Sequence, residues 1–366
     1  MDQTIKPHTP QESNYDLLRV ICTLAIIIIH VSAICINSNS YTDSYNNFDI
    51  TAVFCITMSR FAVPCFLFLS GAFLLDNDKN QNYSTFYRKK LIKIFIPTII
   101  FTIIYFLYYI TITTIGVANG TAGLSAYLTP IKNLLKGAPT YHMWYMYTLI
   151  GIYLLIPVMI KLKLDIGEKA FARLSWIYFL VSIASGLTTT SLLCWGLPST
   201  VMYLGYVLIG YQIRKNTKEK KNNAKGILFI ILGLLSLLLL SFLYYLVKVG
   251  TIKNIDEELF SNNFNPLIAI AGMFVFLGFS YIRINSIKII SFVSRESFVI
   301  YLIHVGVISI IFRNTGYIGH SELFIPIGTS IVFLISLILA IGYNKLWVKL
   351  DKEERISGKI CKLLHL

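Results

Sequence analysis

The sequence predicts an all-α protein, a polytopic bundle of about ten transmembrane helices with both termini on the cytoplasmic side. Three observations predict it. Of the 366 residues, 55% are hydrophobic and only 14% charged, against roughly 45–50% and ~25% in soluble domains. The mean hydropathy is +0.67. The apolar residues are also gathered into runs of about 20, the length an α-helix needs to cross a bilayer.

Ten segments have this character: 16–36, 52–75, 91–114, 143–161, 171–190, 198–213, 226–247, 265–282, 293–312 and 323–347. The first follows a polar stretch with a single lysine, Lys6, and no cleavable leader pattern, so it is expected to be retained as a helix. The second contains RFAVPCFLFLSG, where Pro64 is expected to kink the helix and Ser70-Gly71 to admit a close neighbour. A basic edge, YRKKLIKIFIP, opens the third. The longest outer loop, 115–142, is mixed enough in composition to form a partly helical lid. The sixth segment is short and rich in glycine and tyrosine, which suits an interfacial helix. Residues 1–366 are expected to form one integral membrane domain, with a cytoplasmic segment at 1–15 and a cytoplasmic tail at 348–366. No internal repeat is visible, and no inverted pair of broken helices of the kind that marks many transporters.

The formal charge of +14 first suggests an acidic partner such as nucleic acid, and its distribution decides otherwise. With the amino terminus inside, 24 of the 32 lysines and arginines fall in inner loops and the tail, and five in outer loops. The positive-inside rule accounts for that asymmetry, so no nucleic-acid partner is required. Of the six cysteines, Cys22, Cys35, Cys55 and Cys65 lie in or beside apolar runs without CxxC or Cys/His spacing. They are expected to be small core residues, with neither a disulfide framework nor a metal site implied.

Arg19, His30 and Arg60 are ionisable positions inside apolar stretches, where a charge costs at least ~2.5–3.5 kcal/mol on insertion scales, so a polar cavity or a partner is expected. Arg19 also has Asp16 three residues earlier, close enough for an ion pair. At about 100° per residue, the eleven-residue step from Arg19 to His30 returns to within roughly 20° of its starting direction, and it rises about 16 Å. A cavity on that face would join a cytoplasmic anion site to a deep imidazole. Such an arrangement suits an acyl-coenzyme A donor, with its phosphates in the cytoplasm and its pantetheine arm reaching inward, and an imidazole suited to take a proton from a hydroxyl. Arg60 is placed to hold a phosphate, a carboxylate or a developing oxyanion, or to form an ion pair inside the bundle. Arg88, Lys89 and Lys90 form either a cytoplasmic basic edge or a phosphate cradle. His142 and Trp144, at the outer mouth of the fourth segment, are candidates for contact with a sugar. Tyr301 and His304 share a face of the ninth, where they are expected to form a buried hydrogen-bonded pair and are also candidates for contact with the substrate, and Glu296 on that helix is expected at the interface. Asp43, Asp49 and Glu322 are the outer-side carboxylates available to orient His30.

These motifs in order, Arg19 and His30 separated by ten residues, then SRFAVPCFLFLSGAFLL, HMWYMYTLIGIYLLIP and SFVIYLIH, resemble the signatures of the acyltransferase-3 family of bacterial integral membrane proteins. The resemblance runs from the first helix to the ninth. It implies a ten-helix enzyme of the cytoplasmic membrane that takes an acyl group, usually acetyl from acetyl-coenzyme A, as a donor substrate and binds no permanent cofactor. The acceptor it implies is a hydroxyl of a surface polysaccharide or lipid-linked sugar. The family's arginine-X10-histidine pair corresponds to Arg19 and His30, its second-helix arginine to Arg60, and its basic residues before the third helix to Arg88, Lys89 and Lys90. At Lys90 this chain departs from the arginine common in the family. A flippase or transporter of a lipid-linked sugar or anionic substrate, with Arg19 and Arg60 lining the path, is the alternative from a different class. An inactive sensing or anchoring relative is the third.

Overall fold

A computed structural model describes residues 13–38, 47–136, 138–187, 199–313 and 323–350. Asp43 and Glu322, the side chain of Asp49, the segment before residue 13 and the tail after residue 350 lie outside the described residues. Among the described residues there is no strand. The helices are α1 (Ser13–Ser38), α2 (Asn47–Ser59), α3 (Ala62–Leu74), α4 (Tyr83–Phe86), α5 (Ile92–Ala118), α6 (Leu128–Leu135), α7 (Trp144–Ile166), α8 (Glu168–Ala184), α9 (Ser199–Met202), α10 (Leu204–Thr217), α11 (Asn223–Lys248), α12 (Pro266–Tyr281), α13 (Lys288–Ile308) and α14 (Phe324–Leu350). All ten expected segments fall on helices. Seven stretches among the described residues are long and apolar enough to cross a membrane, and α12 is a shorter apolar helix. The chain is a multi-pass membrane protein.

The helices fall into two compact units. One takes in Met1–Asn77, Ile166–Pro198 and Met202–Tyr343, the other Asp78–Asp165, Ser199–Val201 and Asn344–Leu366. In the first, α1 is the hub, packed by α2, α3, α12 and α13. Its 26 residues run without proline or glycine, so the helix is unbroken and the face shared by Arg19 and His30 is preserved along it.

The second expected segment is interrupted. Pro64 has no N–H to give the carbonyl of Arg60, four residues back. The helix accordingly stops at Ser59 and resumes at Ala62, with the amide of Arg60 turned onto Thr57 O at 3.2 Å. The α12 backbone fills the break: a side chain added at Gly272 would meet Pro64, and Cys65 Sγ donates to Gly272 O at 3.4 Å.

The main helix of the sixth segment, α10, is buried from Leu204 through Ile213 among its neighbours. Small residues make this possible, because α3 and α10 pack backbone to backbone. A Cβ at Gly71 would strike the Val207 carbonyl, and one at Gly210 the Phe68 carbonyl. Between them Tyr206 sits in a cage of Phe68 and Phe179, with ring centroids 5.4 Å away in each case.

In the second unit, α7 is joined to α5 by a 2.7 Å hydrogen bond between Thr102 and Tyr147, to the turn before α5 by Tyr87 Oη donating to Leu154 O at 2.9 Å, and to α4 by the contact of Phe86 with Tyr153. Lys163, buried, pairs with Asp78 at 2.7 Å. Loop 115–142 is partly helical as expected, with a 3₁₀ turn at Leu124–Tyr127 followed by α6.

Gly210→Leu drives a side chain into the Phe68 backbone, and overpacking of this kind costs about 1–3 kcal/mol or more. The expected outcome is a thermal midpoint lowered by several degrees in detergent. Gly342→Leu, whose added Cβ meets nothing within 4 Å, leaves the midpoint in place.

Candidate active site

The polar residues of α1 are held from three sides. Near its start, the carboxylate of Asp16 is 2% exposed and accepts three hydrogen bonds: from Arg19 Nη1 at 3.0 Å, Ser291 Oγ at 2.8 Å and Ser294 Oγ at 2.8 Å. The two serines are one turn apart and share a face of α13. Asp16 therefore pins α1 to α13 and fixes Arg19 at the same time. The Arg19 guanidinium also lies 4.9 Å from the centre of the Phe73 ring, and its side chain keeps 28% exposure. The sequence offered Asp16 as a partner for Arg19, and the structure makes that pair. The role of Ser291 and Ser294 was missed, although their three-residue spacing in SFVS is a signal that both face one way.

Further along the same face, His30 points at α13. Its ring centroid lies 5.2 Å from that of His304, which is fully buried. The Tyr301 ring is 5.4 Å from His304 on the other side. The hydrogen bond between the last two is made by the main chain of Tyr301, at 2.6 Å from His304 Nδ1 to the carbonyl oxygen. A carbonyl only accepts, so Nδ1 of His304 carries the hydrogen, and in the neutral ring Nε2 is the acceptor. The pairing of His30 with His304 was missed because a helical period reveals which residues share a face and not which faces meet. Glu296, expected at the interface, is instead buried on α13.

Arg60 stands at the break between α2 and α3. Arg60 Nη1 donates to Ser261 O at 3.3 Å, and Nε is buried without an acceptor. Among the described residues no carboxylate pairs with it, and the ionisable groups that influence it are Tyr244 and Tyr203. Ser261 belongs to the connection between α11 and α12, which folds back over this site. Tyr206 Oη donates to Asn263 O at 2.5 Å, Asn263 Nδ2 donates to Tyr203 Oη at 3.1 Å, and Tyr203 stacks on Phe264 at 4.4 Å. The sequence directed attention to 115–142 as a lid, and this second connection was overlooked. Its signal was the asparagine run before Pro266, where Asn265 caps α12 by accepting from Leu267 N at 2.9 Å.

The remaining candidates lie in the second unit. Arg88, Lys89 and Lys90 are exposed on a π turn at Tyr87–Leu91. His142 is 1% exposed, with Nδ1 2.8 Å from Thr140 Oγ1 and its ring edge-on to Tyr105 at 5.3 Å. Trp144 is half-buried beside Tyr145. Within the first unit, then, Arg19 and His30 share a face of α1, His304 and Tyr301 meet its His30 end, and Arg60 stands apart at the break between α2 and α3.

Removing a buried carboxylate that satisfies three donors leaves a cation and two hydroxyls without it, at about 3–5 kcal/mol for breaking such a pair. Asp16→Ala is expected to lower the thermal midpoint more than the double variant Ser291→Ala/Ser294→Ala. Unfolding of the three purified proteins, followed by tryptophan fluorescence, checks this order.

A protein-family model described as an acyltransferase domain, that of the acyltransferase-3 family, matches residues 12–343. No curated protein and no solved structure matches the chain. The matched region runs from the start of α1 into α14 and includes every residue placed at the site. The chain belongs to the acyltransferase-3 family, and its helices carry a membrane acyltransferase.

Proposed function

We propose that the protein moves an acyl group, acetyl in the first instance, from cytoplasmic acyl-coenzyme A to a hydroxyl of a surface polysaccharide or lipid-linked sugar at the bacterial cytoplasmic membrane. In this reading the ten helical segments cross the membrane and both termini are cytoplasmic. The observation that carries the reading is the facing pair His30 and His304, with Arg19 on the same side of an unbroken α1 about 16 Å away along the axis.

His30 acts as the general base. As the acceptor oxygen attacks the thioester carbonyl, the imidazole takes the hydroxyl proton. The tetrahedral intermediate collapses with loss of the coenzyme A thiolate, which takes the proton back, so the products are the ester and free thiol. The positive field of Arg60 favours the negative oxygen of that intermediate, an effect strong where water is excluded. His304, with its hydrogen committed to the Tyr301 carbonyl, orients His30 and accepts from its protonated form. Arg19 marks the end of the face where the donor's phosphates belong. Arg88, Lys89 and Lys90 are candidates for the same task, and His142 and Trp144 for gripping a sugar. The half-buried Arg60 and the connection it bonds suit an enzyme that must keep water from the thioester.

His30→Ala is expected to abolish acetylation of surface glycans, read by mass spectrometry, with the protein level in the membrane unchanged. Retained acetylation removes His30 from the mechanism. His304→Leu is expected to lower the rate by about 10²-fold or more, within the range for general acid–base contributions, and to shift its pH profile. A purely structural role for His304 predicts no shift in that profile.

A further inference from the structure

At the Arg19 end of α1 the first unit gathers a second set of cations that the motif reading did not include. Arg214, in the last turn of α10, places its guanidinium carbon 4.0 Å from the centre of the Phe73 ring and 5.8 Å from that of Tyr15. Arg19 lies over the same Phe73 ring. Lys221, just beyond α10, has its ammonium 5.9 Å from the Tyr15 ring. Lys218 lies between them in sequence and approaches Asp76 at 3.5 Å, with Arg214 Nε 3.9 Å from the same carboxylate oxygen.

The plain structural role of these side chains is visible and partial. Arg214 Nη1 donates to Ala72 O at 3.1 Å and Lys221 Nζ to Ser280 O at 2.7 Å. Each therefore caps the carbonyl end of a helix, α3 and α12, as cations do at helix C-termini. Those bonds use one donor of the guanidinium's five and one of the ammonium's three. The carboxylates of the cluster are Asp16, engaged with Arg19, and Asp76, shared by two cations at distances longer than a hydrogen bond. Positive charge is in excess. Burial, together with the like charges of Arg214 and Arg283, holds Lys221 below the ordinary lysine value, the direction expected where cations outnumber carboxylates. The Arg214 side chain is only 14% exposed, so this is a fixed group over an aromatic ring and not a solvated basic edge.

We propose that Arg214, Lys218 and Lys221, with Arg19, hold the phosphate groups of the donor. The proposal rests on the acyl-coenzyme A reading and deepens it. From this cluster the shared face of α1 leads to His30 over about 16 Å of helix axis, a span that an extended pantetheine arm covers. The phosphates then stay at the basic end of the helix while the thioester reaches the imidazole. Guanidinium and ammonium groups supply the charge-assisted hydrogen bonds that phosphate oxygens take.

The test is isothermal titration of the full-length protein in detergent with coenzyme A, dephospho-coenzyme A and pantetheine. Lys221→Gln and Arg214→Gln are compared with the triple variant Arg88→Gln/Lys89→Gln/Lys90→Gln. Loss of one charge-assisted contact is expected to raise the Kd for coenzyme A about tenfold or more in each single variant. The triple variant stays within about threefold of the unaltered protein, and pantetheine, which lacks the nucleotide phosphates, does not distinguish any of them. Because Arg214 also caps α3, Lys221→Gln carries the result if Arg214→Gln is not monodisperse. Coenzyme A bound equally by Lys221→Gln and weakly by the triple variant overturns the proposal and moves the cradle to the turn. Equal binding by all variants overturns the cluster and leaves the donor reading standing. An unaltered protein that binds no coenzyme A sinks the donor reading, and the cluster's role with it.

Discussion

The carboxylate of Asp16 is the group on which the arrangement of this chain turns. A charge buried at the edge of an apolar helix is tolerable only when its lone pairs are satisfied, and here one arginine and two serines satisfy them. Because the serines come from α13 and the arginine from α1, the same three bonds that make the charge tolerable also set the azimuth of α1 against α13. His30 and His304 lie fourteen residues beyond Asp16 and ten beyond Ser294 on those two helices. Their rings meet because the helices were clamped at the other end. The site is thus a consequence of a satisfied charge some four turns away.

The same logic of necessity explains the break at Arg60. Proline removes one donor from the ladder, and the carbonyl so released belongs to Arg60 itself, whose side chain is half-buried. The Pro64 ring packs against α12 where Gly272 carries no side chain. The arginine is left at the end of one helical piece with its side chain reaching Ser261 in the connection between α11 and α12. One proline therefore locates a cation and sets which helix packs behind it.

Much of this was legible in the chain. All ten apolar segments fall on helices, the face shared by Arg19 and His30 follows from a helical period, and Pro64 announced the break. What was not legible is the meeting of elements far apart in sequence. Nothing in SFVIYLIH says that His304 stacks near His30, and nothing in the region between α11 and α12 says that it reaches Arg60, because hydrophobic period fixes a direction on one helix and leaves the partner open. The burial of α10 was not legible for a related reason: glycines and tyrosines suit a membrane interface, and they equally suit close backbone packing with aromatic fill, a choice that only the neighbouring helices make.

The π turn at Tyr87–Leu91 has a mechanical meaning of its own. There the amide of Ile92 bonds five residues back, to Tyr87 O, so the turn holds one residue more than an α-helix would. That surplus residue rotates everything before it by about 100° relative to α5. Loss of a single residue within Tyr87–Leu91 would restore ordinary winding and re-aim Arg88, Lys89 and Lys90 around the helix axis while leaving every residue of α5 in register. The basic corner of this unit can change direction through its own length alone.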